Sequence, residues 1–141
     1  MLVQGIRADG LEDQFRLFLG TRILIDAAYV IGAHGAIPAT SNVAPAACAE
    51  TWEAAARGDF ALGARAQEVV VKFEDLADIA RGGSPDAASY SSMKLILREW
   101  GILDDARLTR PLRNFADDEV TELRKRLQAL PHGAQRVAVT A

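Results

Sequence analysis

Two rhythms in the chain constrain its fold more than any other feature: short apolar runs broken by a helical stripe in the first third, then unbroken helical periodicity. Apolar runs fall at Met1 to Ile6, Arg22 to Ile25 and Gly35 to Ala39, each bounded by Gly, Asp or Asn. Between the first two, Leu11, Phe15, Phe18 and Leu19 are spaced to share one helical face, and Gly20 follows as a stop signal. Strand, helix, strand, short helix, strand is the rhythm of βαβ units around a parallel sheet. The second connection is short. Only Asp26 to His34 separates the second and third runs, and a parallel crossover needs about a dozen residues. A stunted helix or a disturbed connection is expected there.

From Ala44 onward every signal is helical. Pro45 suits a first helical turn, and the Ala-rich segment to Arg57 favours helix on propensity. Gly58 ends that helix and Asp59 caps the next, which runs to about Arg81 with Leu62, Ala66, Val69, Phe73, Leu76 and Ala80 as its buried stripe. Gly82-Gly83 stops it, and Ser84-Pro85 is an N-cap with proline at the first helical position. Met93, Ile96, Leu97 and Trp100 form the next stripe. Asp117 is expected to cap a last helix carrying Val120, Leu123, Leu127 and Leu130, with a loose tail over 132–141.

With 141 residues the chain can build one sizeable core, and its formal net charge of -3 argues against a nucleic-acid partner. The single Cys48 excludes an intramolecular disulfide framework and fits a reducing compartment. No basic leader or membrane-length apolar run is present, so no membrane partner and a cytoplasmic location are expected.

The stretch Gly32-Ala-His-Gly-Ala-Ile-Pro-Ala-Thr-Ser-Asn-Val-Ala-Pro45 resembles the last barrel strand of the dihydrodipicolinate synthase/N-acetylneuraminate lyase family. Glu50-Thr-Trp-Glu-Ala-Ala-Ala-Arg-Gly-Asp59 resembles the helix and turn next in that family, and the Met93-Lys94 helix and Arg110-Pro111-Leu112 continue the family's order. The resemblance implies an α/β fold, a partial (β/α)8 barrel made of the last strands (six to eight) with a C-terminal helical region after them. In domain terms it implies a barrel segment over 1–57, helices over 58–131 and a tail over 132–141. It further implies a class I aldolase-type lyase that forms a Schiff base with pyruvate or a similar small oxo-acid and needs no cofactor or metal.

The family's Gly-Ile-Lys pattern falls on Gly5-Ile6-Arg7, so Arg7 occupies the position of the Schiff-base lysine. A nucleophilic lysine must lose its proton to attack a carbonyl, whereas arginine stays protonated. At a strand end Arg7 could grip a carboxylate bidentately, and it reads equally well as a solvent-facing loop residue. Ile37 aligns with a position lining the pyruvate pocket and is also a natural core residue; the two roles are compatible. Lys72, Lys94 and Lys125 lie on expected helices, where solvated roles suit them. His34 reads as a turn residue, Asn42 as a cap or turn, and Asp9 and Asp26 as turn residues with only a weak metal signal. The leading functional expectation is a truncated or divergent family member, inactive alone. The alternatives are a non-catalytic self-association module and a small-carboxylate binding protein. A partial barrel cannot close by itself, so a homo-oligomer or a partner chain supplying the missing strands is expected.

Overall fold

A computed structural model describes residues 2–130; the expected tail over 132–141 lies outside the described residues. The chain is mixed α/β and rich in helix. Its elements are α1 (Leu2–Ala8), β1 (Phe18–Leu19), α2 (Ile25–Val30), β2 (Gly35–Ala36), α3 (Pro45–Ala56), α4 (Phe60–Glu74), α5 (Pro85–Glu99) and α6 (Asp117–Ala129), with 3-10 turns at Ala39–Asn42 and Asp75–Ile79. They fall into two compact units, residues 2–41 with 45–70 and residues 42–44 with 71–130.

In the first unit β1 and β2 pair in parallel, Phe18 opposite Gly35 and Leu19 opposite Ala36. The Phe18 ring lies over Gly35, where an added Cβ would stand 2.6 Å from the ring; a side chain at 35 would displace it. α2 packs on both β2 and α3. Ile25, Cys48 and Val70 form the buried centre, with Ala36, Ala47 and Trp52 packed around them. Trp52 meets Tyr29 edge to face, with ring centroids 5.5 Å apart. Gln67 braces this core from a distance in sequence. Its Oε1 accepts the Ile25 N–H at 3.0 Å, satisfying one of the open donors at the start of α2, while its Nε2 has no partner among the described residues.

Two of the expected strands and the expected helix between them are corrected. Leu2–Ala8 is a helix, not a strand. As a helix this segment satisfies its backbone groups within its own residues. Leu11 to Leu19 is not a helix; turns over residues 12–14 lead into β1 at Phe18–Leu19. The expected strand at Arg22 to Ile25 is absent, because Thr21 Oγ1 accepts the Leu24 N–H at 3.0 Å and the chain enters α2 at Ile25. The crossover therefore spans residues 20–34, which is ample for a parallel connection, and the expected crowding does not arise. Only the third expected strand survives, shortened from Gly35 to Ala39 to the two residues of β2.

The second unit conforms closely to the sequence reading. Ser84 Oγ accepts the Ala87 N–H at 3.1 Å, with Pro85 opening α5. The Asp75–Ile79 turn packs on α5 and α6, and α5 packs on α6. α4 ends at Glu74, short of the expected Arg81, and tightens into that 3-10 turn. Phe73, Leu76, Ile79, Leu95, Ile96, Leu123 and Leu127 are buried, and Phe73 meets Trp100 edge to face at 6.0 Å.

Asp117 does not cap α6; it is the first helical residue, and Ala116 holds the cap position. Glu119 takes over the capping work from inside the helix. It is 2% exposed, and its carboxylate accepts from the N–H groups of Arg81 and Ala116, each at 2.7 Å, and from the Arg113 guanidinium at 2.7 Å. Burial pushes its pKa up. The Ala116 and Arg81 N–H groups and the Arg113 charge outweigh burial and hold it at about 2.

Candidate functional site

Two hollows in the first unit are lined by Arg7 and by Ile37 respectively, and they lie at opposite ends of the parallel pair; Asp9, Asp26 and Asn42 line neither. The smaller, of about 100 Å3, is lined by Ile6, Arg7, Glu12, Leu17, Gly32 and His34 among others. Leu17 and His34 immediately precede β1 and β2, so this hollow sits at the strands' N-terminal end. His34 extends the pairing there: its N–H donates to Leu17 O at 2.7 Å and its Nδ1 accepts from Leu17 N–H at 3.0 Å. That is a structural turn role. Arg7 stands in the last turn of α1 rather than at a strand end. Its guanidinium occupies the space that a Cβ on Gly32 would fill, and Gly32 itself, at φ +85°, is in the left-handed region that ends α2.

The larger hollow is an open groove of about 450 Å3. One wall is formed by Ala36 of β2 and by Ile37 and Pro38 just beyond it. The other wall is α3, with Pro45, Cys48, Ala49, Trp52 and Glu53. It lies at the C-terminal end of β2, where ligands bind in parallel α/β folds. Ile37 is 69% exposed at its edge. Arg7 does not line this groove, so the two sequence candidates are not brought into one site.

The groove's own polar groups are poorly suited to covalent chemistry. Burial pushes the Cys48 thiol up to about 11, leaving it protonated at neutral pH. The Ser41 hydroxyl donates to Pro38 O at 2.7 Å, and Glu53 lies 3.7 Å from Arg57 in an exposed pair. None of the lysines falls in this unit. Lys94 Nζ donates to Arg107 O at 2.8 Å, Lys125 faces Glu122 at 3.9 Å, and Lys72 is exposed on α4. Among the described residues no cluster of three or more His, Cys, Asp or Glu is placed to hold a metal ion. No described helix is long and apolar enough to cross a membrane.

The α3 wall was not singled out from the sequence, although a signal existed. Pro45, Cys48, Ala49, Trp52 and Glu53 recur at offsets of three and one, which is one face of a helix. The contact of Gln67 with Ile25 joins residues 42 apart and leaves no local trace.

The comparisons with known proteins agree with this geometry. No curated protein matches the chain at a significant level. The structure of dihydrodipicolinate synthase from the commensal bacterium Bacteroides thetaiotaomicron is similar in fold, with a TM-score of 0.76 and 23% sequence identity. The match covers 89% of this chain and 41% of that one, so this sequence spans less than half the length of that synthase and corresponds to part of its barrel fold. The model of the dihydrodipicolinate synthetase family matches residues 5–130, nearly all of the described chain. The chain belongs to the dihydrodipicolinate synthetase family.

Proposed function

We propose that this chain is a divergent member of its family whose own side chains do not carry out the pyruvate Schiff-base step. In this reading β1 and β2 correspond to the last two barrel strands, and Arg7 stands in place of the family's lysine. Any lyase activity then belongs to an assembly in which the amine comes from outside this sequence. One observation carries the reading: neither hollow of the barrel-like unit is lined by a primary amine. A Schiff base forms only from an amine that can give up its proton, and the guanidinium of Arg7 stays protonated throughout the accessible pH range.

Small-carboxylate binding by Arg7 ranks lower, because Glu12 lines the same hollow and an incoming carboxylate would meet a like charge there. The test is reductive trapping. The chain is incubated with pyruvate and borohydride and then weighed by mass spectrometry. The proposal expects no pyruvate-dependent adduct anywhere on the chain, and a stable adduct on Lys72, Lys94 or Lys125 would overturn it.

A further inference from the structure

The loop between α5 and α6 is tied down at both ends and gathers arginines in its middle. Ala106 and Phe115 are buried on either side of it. Lys94 Nζ of α5 donates to Arg107 O at 2.8 Å, and the Phe115 N–H donates to Ser91 Oγ, also of α5, at 3.2 Å. Within the loop the Leu108 N–H donates to Asn114 Oδ1 at 2.7 Å, and the Leu112 N–H to Thr109 O at 3.0 Å. The stem of Arg113 lies over Gly83, where an added Cβ would stand 3.4 Å from the Arg113 Cβ. These ties shape an open hollow of about 680 Å3, lined by residues 107–110 and 112–114. Small-molecule sites have volumes of about 300–1,000 Å3, so a ligand of that size fits.

The chemistry of the hollow is one-sided. Arg107, Arg110 and Arg113 line it at intervals of three, and none of its lining residues is acidic. Asp105 pairs with Arg107 at 2.5 Å and Glu119 with Arg113 at 2.7 Å, each engaging only part of a guanidinium that carries five N–H donors. Arg110 is exposed, and its guanidinium has no partner among the described residues. Asn114 commits its carbonyl end to the loop, and its amide donor end has no acceptor among the described residues. Donors in excess of acceptors, on a loop fixed by bonds to its own backbone, suit an oxyanion. A carboxylate has two oxygens and one charge, enough for one guanidinium fork. A phosphate monoester brings three terminal oxygens and close to two charges, which matches an unpaired Arg110 between two partly engaged guanidinium groups.

We propose that the α5–α6 loop binds the phosphate group of a small phosphorylated molecule, with Arg110 as its main contact and Arg107, Arg113 and the Asn114 amide around it. A nucleic-acid backbone fits less well, because its phosphates are singly charged and the chain's formal net charge is -3. The site belongs wholly to the second unit and does not depend on Schiff-base chemistry.

The test titrates the whole chain with inorganic phosphate at constant ionic strength, following the Asn114 side-chain amide by NMR and Tm by calorimetry. Saturable one-to-one binding and a phosphate-dependent rise in Tm are expected. Arg110→Gln changes a side chain without partners, so it should leave the Tm of the unliganded chain where it was. It should weaken phosphate binding about tenfold, the worth of one charged hydrogen bond. Asn114→Asp keeps an acceptor for the Leu108 N–H, replaces the donor end by a negative charge and should weaken binding at least as much. Titration without saturation would overturn the proposal, as would binding indifferent to both substitutions. Acetate bound as tightly as phosphate would overturn the choice of anion. An oligonucleotide, or vesicles containing an anionic phospholipid, bound more tightly than phosphate and released by Arg110→Gln would make the loop a polyanion surface, which also overturns it.

Discussion

The two units of this chain solve the same problem with unequal means. The second is built from helices of 13 and 15 residues whose ends are tied down by Ser84 and Glu119. The first combines helices of six and seven residues and two-residue strands with α3 and most of α4. Its large apolar side chains at Phe18, Leu24, Val30 and Ile37 remain exposed, whereas Phe73, Ile96 and Leu123 in the second unit are buried. Both units bury polar side chains, and among the described residues each has one buried polar atom without a partner, Gln67 Nε2 in the first and Ser89 Oγ in the second. Glu119 has both carboxylate oxygens engaged by N–H groups and a guanidinium, while Gln67 has one end bonded and the other bare. A helix satisfies its backbone within its own segment, so it completes itself wherever its stripe finds a partner. A strand is finished only by its neighbours.

Substitutions at these positions sharpen or break that comparison. Phe73→Ala should have the largest effect, about 4 kcal/mol of unfolding free energy, because it empties a fully buried aromatic site and removes the contact with Trp100. Denaturant titration would measure it, and a loss below about 1 kcal/mol would mean the second unit is not the well-packed one. Glu119→Ala should cost about 3 kcal/mol, since it strands two backbone donors and the Arg113 charge. The same carboxylate makes the unit sensitive to acid. Its folded pKa of about 2 lies below the ordinary 4.5, so its contribution is fully present above about pH 4.5 and is lost as pH falls toward 2. Thermal melts across that window should show a slope that Glu119→Gln flattens. An unchanged slope would assign the acid sensitivity elsewhere.

Ser84→Ala should remove about 1 kcal/mol, the worth of one N-cap, and calorimetry would register it as a modest drop in Tm. Gln67→Leu, in the first unit, should have the smallest effect, within about 1 kcal/mol in either direction. It forfeits the bond to the Ile25 N–H but also removes a buried amide nitrogen that has no partner. A loss as large as that of Glu119→Ala would show that the two buried polar groups contribute equally.

The same asymmetry decided how much could be read from the residues. Ser84-Pro85, Gly58 with Asp59, and Pro45 announced α5, α4 and α3 within a turn of where those helices begin, and Asp59 Oδ1 does accept the Leu62 N–H at 3.0 Å. Caps and stripes are local chemistry and are legible as such. The sheet was misjudged because nothing within Leu2 to Ile25 says which apolar run has a strand beside it. Phe18 and Leu19 matched a helical spacing from Leu11 and Phe15, yet pairing with Gly35 and Ala36 draws them into β1. Arg7 was read onto a strand end for the same reason, and the groove wall of α3 escaped notice because its partner, β2, is not encoded in the helix itself.

Native-state amide exchange tests the division between a self-sufficient unit and an unfinished one most directly. The account predicts that Ile96 in α5 and Leu123 in α6 exchange only through global unfolding, while His34 and Ile37, whose amides bond across the β1–β2 pair, exchange orders of magnitude faster. Slower exchange at His34 and Ile37 than at Ile96 and Leu123 in the isolated chain would contradict it, because the sheet would then be complete without any further strand.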